Sequence, residues 1–201
     1  VIGKVVSLRA KLGHSGPEFW SDDSPWFFDV KKSGGGVTVD VGIHILDVIR
    51  FITGKEIASV TGFMANLVKK KMKLEDNVEA ALKFKDGTIG VFEASWTNSP
   101  YEVVVQLYGT KGKAYVNQAN YDPKRVRVWT VDPKSPYNTV KELDYKVPKT
   151  SRNRSPIAHF VDCVTGKKKC IIDGVEGMKS AAVILATRKS ALTGKSVSVN
   201  L

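Results

Sequence analysis

Asp40, His44 and Asp47 stand four and three residues apart in the stretch Ser33-Gly34-Gly35-Gly36-Val37-Thr38-Val39-Asp40-Val41-Gly42-Ile43-His44-Ile45-Leu46-Asp47. On a helix that spacing lines up two carboxylates and an imidazole along one side. Histidine is the side chain best placed to move a proton near neutral pH. A carboxylate one turn away can hold its ring in one tautomer or accept a bond from a substrate hydroxyl. The surrounding Ile43, Ile45, Leu46, Val48, Ile49, Phe51 and Ile52 are apolar, and polar groups so close to a core are costly unless paired or used. The chemistry this permits is removal of a hydroxyl proton, with His44 as base and Asp40 beside it. The spacing also fits Asp40 as a helix cap with His44 a satisfied interior histidine. A divalent-metal site on Asp40 and His44, with His14 or His159 folding in and hydrolysis as its chemistry, is a third reading. Asp47 reads as support for backbone or the glycine loop, or as a substrate contact. Gly34, Gly35 and Gly36 permit positive φ and close approach of a ligand, and a plain loop-to-helix turn accounts for them equally well.

The elements that must position these residues follow from periodicity. Val6, Leu8, Ala10 and Leu12 alternate with Ser7, Arg9 and Lys11, the pattern of a half-buried strand. A long loop rich in Ser, Asp, Pro and aromatics spans Gly13 to Lys32. A helix runs from Val37 or Asp40 to Ile52, closed by Gly54. Ile57 to Val68 is a second strand, and Asn77 to Lys85 and Thr88 to Thr97 form a hairpin turning at Asp86-Gly87. Glu102 to Tyr108 and Lys113 to Val116 form another, and Arg125 to Val131 and Glu142 to Val147 are shorter strands. Then the period changes. Ser155 caps a helix with Pro156 at its first position. Asp173 to Leu192 makes a second helix, with Met178, Ala182, Leu185 and Leu192 as the expected buried stripe, and Ser196 to Leu201 is a final strand. The order predicts an α+β fold, one large and mostly antiparallel β-sheet with helices packed on one face.

The 201 residues suffice for one domain with a substantial core, and a hydrophobic content of 42% with 25% charged residues is that of an ordinary globular protein. No apolar run approaches the roughly 20 residues that span a bilayer. Cys163 and Cys170, seven apart, form no Cys-x-x-Cys pair, so the spacing predicts no zinc site; two cysteines fit a reducing cytoplasm. The net charge of +11 comes largely from scattered runs, Lys69-Lys70-Lys71-Met72-Lys73, Lys124-Arg125-Val126-Arg127 and Lys167-Lys168-Lys169. None is interleaved with stacking aromatics, so solvated loops guarded by lysine are favoured over nucleic acid. A polyanion-binding surface, or a sheet that serves only to dimerise, remain as non-enzymatic readings.

Several of these segments also carry a resemblance. Gly-Gly-Gly-x-x-x-Asp-x-Gly-x-His-x-x-Asp, the lead-in Trp26-Phe27-Phe28-Asp29, Glu75-Asp76-Asn77-Val78-Glu79-Ala80, Asp86-Gly87-Thr88-Ile89-Gly90-Val91 through Ser95-Trp96, Tyr108-Gly109-Thr110-Lys111-Gly112 and His159-Phe160-Val161-Asp162-Cys163-Val164-Thr165-Gly166 occur in that order. In this they resemble the Gfo/Idh/MocA family of NAD(P)-dependent sugar, inositol and sugar-derivative oxidoreductases. The resemblance covers nearly the whole chain and implies the family's C-terminal substrate and oligomerisation domain, of the glucose-fructose oxidoreductase type, as a single domain over residues 1–201. It implies His44 as base with Asp40, and NAD or NADP as cofactor. It implies a sugar or polyol substrate, and self-association through the open face of the sheet as a dimer or tetramer. Family members also carry a Rossmann domain with a glycine-rich cofactor turn and a Glu-Lys-Pro motif, and this chain shows neither. The expectation is therefore a substrate domain whose cofactor domain lies elsewhere, inactive in isolation. Trp20, Trp26 and Trp96 are candidate stacking faces for a sugar ring, with core packing as the plainer reading. Arg152 and Arg154 are candidate anion contacts, His159 a possible cleft residue, and His14 a possible lid residue.

Overall fold

The computed structural model describes residues 1–19, 25–118, 126–132, 134, 140–146 and 155–200. Nine strands form one sheet: β1 (Val5–Gly13), β2 (Ile57–Ala65), β3 (Asn77–Phe84), β4 (Ile89–Ser95), β5 (Glu102–Gly109), β6 (Gly112–Asn117), β7 (Val126–Val131), β8 (Val140–Leu143) and β9 (Val197–Ser198). Their order across the sheet is β8-β7-β6-β5-β1-β4-β3-β2-β9. Every pairing is antiparallel except β1 with β4, which run parallel. The helical segments α1 (Val30–Ser33), α2 (Val37–Asp40) and α3 (Gly42–Thr53) follow β1, and α4 (Pro156–Val164) and α5 (Gly174–Thr193) follow β8. The expected α+β plan is the one observed.

The alternation in β1 and β3 puts Leu8, Ala10, Val78, Ala80, Leu82 and Phe84 on the side that also buries Phe92, Ala94 and Trp96 of β4 and its end. Ile45, Leu46 and Ile49 of α3 and Val183 and Ile184 of α5 close this core from above. Burying each such side chain is worth about 1.5–3 kcal/mol. The opposite face is open and carries Phe63 (77% exposed) and Ile89 (59% exposed) among charged neighbours. One of those is Lys11, 2.6 Å from Glu102. At the start of the sheet Lys55 Nζ donates to the Val5 carbonyl (3.0 Å), to Thr88 Oγ1 (2.7 Å) and to Asp86, tying the β3–β4 turn to β1.

The buried stripe of α5 is not the expected one. Met178, Leu185 and Leu192 are exposed, and Ser180, Val183, Ile184, Ala186, Thr187 and Ser190 face the core. The reason is close packing on β2. β9 covers β2 only at Ser59 and Val60, and beyond that point the N–H of Gly62 donates to Ser190 Oγ (3.1 Å). Small hydroxyl residues let the helix come that near, so size does not mark its inner face. Arg50, buried in α3, pins α5 further by donating to the Glu176 carbonyl (2.9 Å), Ser180 Oγ (3.0 Å), the Glu176 carboxylate (2.6 Å) and Glu56 (3.2 Å).

The loop from β2 to β3 closes on Asp76, which is fully buried. Its carboxylate accepts from the N–H groups of Leu67, Val68 and Lys69, each at 2.8 Å, and from Asn77 Nδ2 at 3.0 Å. Burial opposes its ionisation, but these backbone donors outweigh burial and hold the carboxyl below the usual carboxylate range. A lowered folded-state value means that the contribution is complete above about pH 4 and is lost as pH falls through that value. Asp76→Asn should therefore lower stability at pH 7 by about 2–3 kcal/mol. In urea denaturation the gap from the native protein should narrow at pH 3; a gap equal at both pH values would refute the carboxylate's role.

Candidate active site

The glycine run is a tight turn between short helices. Asp29 caps α1 by accepting from the Lys31 N–H (3.0 Å), and Gly34 ends it in the left-handed region at φ +79°. Gly36 precedes α2, and its N–H donates to Glu75 Oε1 (3.0 Å) while the Val37 N–H donates to the Glu75 carbonyl (3.0 Å). A Cβ on Gly36 would strike that carbonyl, and one on Gly35 would strike the Arg188 guanidinium. Both glycines are buried, so the structure uses them for close chain approach. α2 ends at Asp40. Val41 then links it to α3, its carbonyl accepting from the N–H groups of His44 (3.2 Å) and Ile45 (3.3 Å). Asp40 thus closes one helical segment instead of capping the next.

Asp40, Trp96 and His14 meet at this junction. Trp96 is wholly buried at the end of β4, and its Nε1–H donates to Asp40 Oδ2 (2.8 Å). His14 Nε2 lies 3.7 Å from the same oxygen. The Gly16 N–H donates to His14 Nδ1 (3.0 Å), so the proton of the neutral ring sits on Nε2, the atom facing Asp40. Phe27 stacks beside Trp96 with ring centroids 6.1 Å apart. One turn along, the His44 imidazole is exposed and has no hydrogen-bond partner among the described residues. The imidazole that the structure places at the Asp40 carboxylate is that of His14, while His44 stands exposed in the first turn of α3, four residues on. An exposed imidazole can take a proton from a hydroxyl, and a carboxylate held by a buried indole can bond to another.

A model of the GFO/IDH/MocA C-terminal domain matches residues 1–115. This chain belongs to the Gfo/Idh/MocA family. Among curated relatives of this Gfo/Idh/MocA domain, it is 24% identical to 1,5-anhydro-D-fructose reductase of Ensifer adhaerens over 87% of this chain and 50% of that protein. To scyllo-inositol 2-dehydrogenase (NAD(+)) of Bacillus subtilis strain 168 it is 26% identical over 85% of this chain and 49% of that one. The chain spans about half the length of the curated relatives it matches. Among solved structures, levoglucosan dehydrogenase in complex with NADH and L-sorbose superposes with a TM-score of 0.77 at 19% identity, over 99% of this chain and 59% of that one. That likeness shows the fold.

The other sequence candidates are distributed over the Gfo/Idh/MocA domain. Asp47 Oδ1 accepts from Ser180 Oγ (3.3 Å) and so faces α5. Trp26 is 47% exposed and packs on Phe27, whereas Trp96 presents no open ring face. Trp20, Arg152 and Arg154 lie outside the described residues. His159, on α4, contacts Cys163 and the Ile171 backbone. Although the cysteines form no linear motif, His159, Cys163 and Cys170 bring their ligand atoms within 4.8 Å of one another. Among the described residues Asp40 and His44 join no such three-ligand group. Of the basic runs, Lys69 is engaged by Glu18 (2.5 Å) and the Ser15 carbonyl (2.8 Å), and Lys168 by Asp162 (3.0 Å). No described helix is long and apolar enough to cross a membrane.

Sequence reasoning missed the bond from Trp96 to Asp40. The available signal was the indole N–H, which needs an acceptor when buried. Trp96→Phe keeps most of the ring and removes that donor. It should lower stability by about 1–2 kcal/mol in urea denaturation, with a far-UV circular dichroism spectrum unchanged. A loss of under ~0.3 kcal/mol would show that the bond does not hold Asp40.

Proposed function

We propose that this chain is the substrate-binding and oligomerisation domain of an NAD(P)-dependent oxidoreductase that moves a hydride between a sugar, inositol or related polyol and nicotinamide. The observation that carries the reading is the family match, which contains the whole Asp40–His44 stretch. The exposed imidazole of His44 and the Asp40 carboxylate oriented by Trp96 support it. The names of the relatives, reductases and dehydrogenases of sugars and inositols, point to the substrate class.

The chain's part in such a reaction is to bind the polyol and move a proton. His44 takes the proton of the hydroxyl whose carbon is oxidised, or returns it in the reverse direction. Asp40 accepts a bond from a neighbouring hydroxyl with its free lone pairs, while Trp96 fixes the carboxylate's rotamer. Trp26 offers a partly exposed ring at the rim. The nicotinamide cofactor supplies the hydride acceptor. Its diphosphate does not fit the glycine run, where Gly35 and Gly36 are packed against Arg188 and Glu75. We therefore assign the cofactor's phosphates, and the choice between NAD and NADP, to residues outside this chain. Self-association through the open sheet face is supported by the exposed Phe63 and Ile89, and a reducing cytoplasm by the free thiols of Cys163 and Cys170.

In the full-length protein, His44→Ala should lower kcat by about 10²–10⁴-fold with cofactor affinity, read by nicotinamide fluorescence, within about twofold of the native value. Asp40→Asn should raise KM as well as lower kcat. Turnover unchanged in His44→Ala would overturn the assignment of the base.

A further inference from the structure

We propose that His159, Cys163 and Cys170 bind one soft divalent cation, zinc by its chemistry, which clamps α4 to the loop leading into α5. His159 and Cys163 are four residues apart on α4 and so share a side of the helix. Cys170 comes back to them because the chain reverses at the helix end. Gly166 takes the left-handed conformation at φ +74°. The Gly166 N–H donates to the Cys163 carbonyl (3.0 Å), and those of Lys167 and Lys168 donate to the Asp162 carbonyl (2.8 and 3.1 Å). The ion pair of Lys168 with Asp162 holds the same turn. All three ligand atoms fall within 4.8 Å of one another.

The spacing suits a tetrahedral ion. Zinc bonds of about 2.3 Å to sulfur and about 2.0–2.1 Å to nitrogen at a tetrahedral angle put the two ligand atoms about 3.5 Å apart. His159 Nε2 and Cys163 Sγ are 3.5 Å apart. Nε2 already turns its lone pair toward the cluster, where it meets the Ile171 N–H at 3.4 Å, a contact too long to compete with a metal bond. Two thiolates and an imidazole favour zinc over magnesium or calcium, which take oxygen ligands. Cys170 is exposed and Cys163 half-buried, so water or an external donor completes the shell. On binding, each thiol releases its proton to solvent, the imidazole binds neutral, and no electron moves.

The site also answers a need of the fold. α4 buries none of its residues in this chain and exposes Ile157, Phe160, Val161 and Val164, so the core does not fix the turn that follows it. A metal held by the helix and by the loop would. It lies on different elements from Asp40 and His44 and is structural, not part of the proton transfer.

The test is titration of the reduced, metal-free chain with Zn²⁺ against a chromophoric chelator, and with Co²⁺ followed by absorbance. One equivalent should bind, Co²⁺ should show thiolate-to-cobalt charge transfer and tetrahedral d–d bands, and Zn²⁺ should protect both thiols from iodoacetamide in mass spectrometry. Cys170→Ser, at an exposed position, should weaken Zn²⁺ binding by about a hundredfold or more while leaving the melting of the metal-free chain unchanged. His44→Ala should bind Zn²⁺ as the native chain does. Three results would overturn the proposal: no uptake by the reduced chain, whether or not a Cys163–Cys170 disulfide forms on oxidation; uptake unaffected by Cys170→Ser; or uptake abolished by His44→Ala, which would move the metal to Asp40 and His44.

Discussion

The structure turns on the dipeptide Glu75-Asp76. Glu75 receives the N–H groups of Gly36 and Val37 on its side chain and carbonyl, which places the start of α2. Asp76 gathers three backbone N–H groups on its carboxylate, donates its own N–H to the Ala65 carbonyl (3.0 Å) and accepts from the Trp96 N–H (2.8 Å). Trp96 in turn holds Asp40. Two adjacent acids therefore connect the glycine run, the β2–β3 loop and the end of β4, and the position of the candidate catalytic carboxylate depends on both routes. Buried donors and acceptors left without partners are expensive, so these connections form together.

Much of this was legible in the sequence where local chemistry decides. Ser155 and Pro156 start α4, Gly54 ends α3 in the left-handed region, and the Asp86-Gly87 turn joins β3 to β4 as their residue types dictate. Spacing singles out Asp40 and His44 as candidates, and residue order carries the family. What was not legible depends on tertiary partners. The inner face of α5 is set by Ser190 meeting Gly62 and by Ser180 meeting Arg50, contacts that no hydrophobic period announces. Asp40 looked like a cap because carboxylates at helix starts usually are, and only the indole from β4 shows that it has another partner. The cysteine spacing holds no linear motif, whereas a helix turn and a chain reversal bring Cys170 to His159 and Cys163.

Arg50 fastens the helix layer at one end of α3. Its guanidinium, with Lys179, bridges Glu56 and Glu176. Burial opposes ionisation of Glu56, but the bonds from Lys179 and Arg50 outweigh it and hold the carboxyl below its ordinary range. This lock joins α3 and α5 at the end of the helix far from Asp40, and Asp47 adds its bond to Ser180 in the same layer. The exposed His44 and this lock thus occupy opposite ends of α3, so the candidate side chain keeps its exposure while the helix itself is fixed.

The parallel pairing of β1 with β4 has a further consequence for how the molecule is made. Two antiparallel runs, β5 to β8 and β2 to β4 with β9, meet only through β1, where Leu8 lies opposite Gly90 on one side and Leu107 on the other. The keystone strand is the earliest of the nine in the chain, and its partners are separated from it by most of the first hundred residues. Closing such distant pairings is slow, and until they close both half-sheets present bare edges to their surroundings. Completing this sheet thus requires one early strand to pair on both sides with strands that follow it much later in the chain.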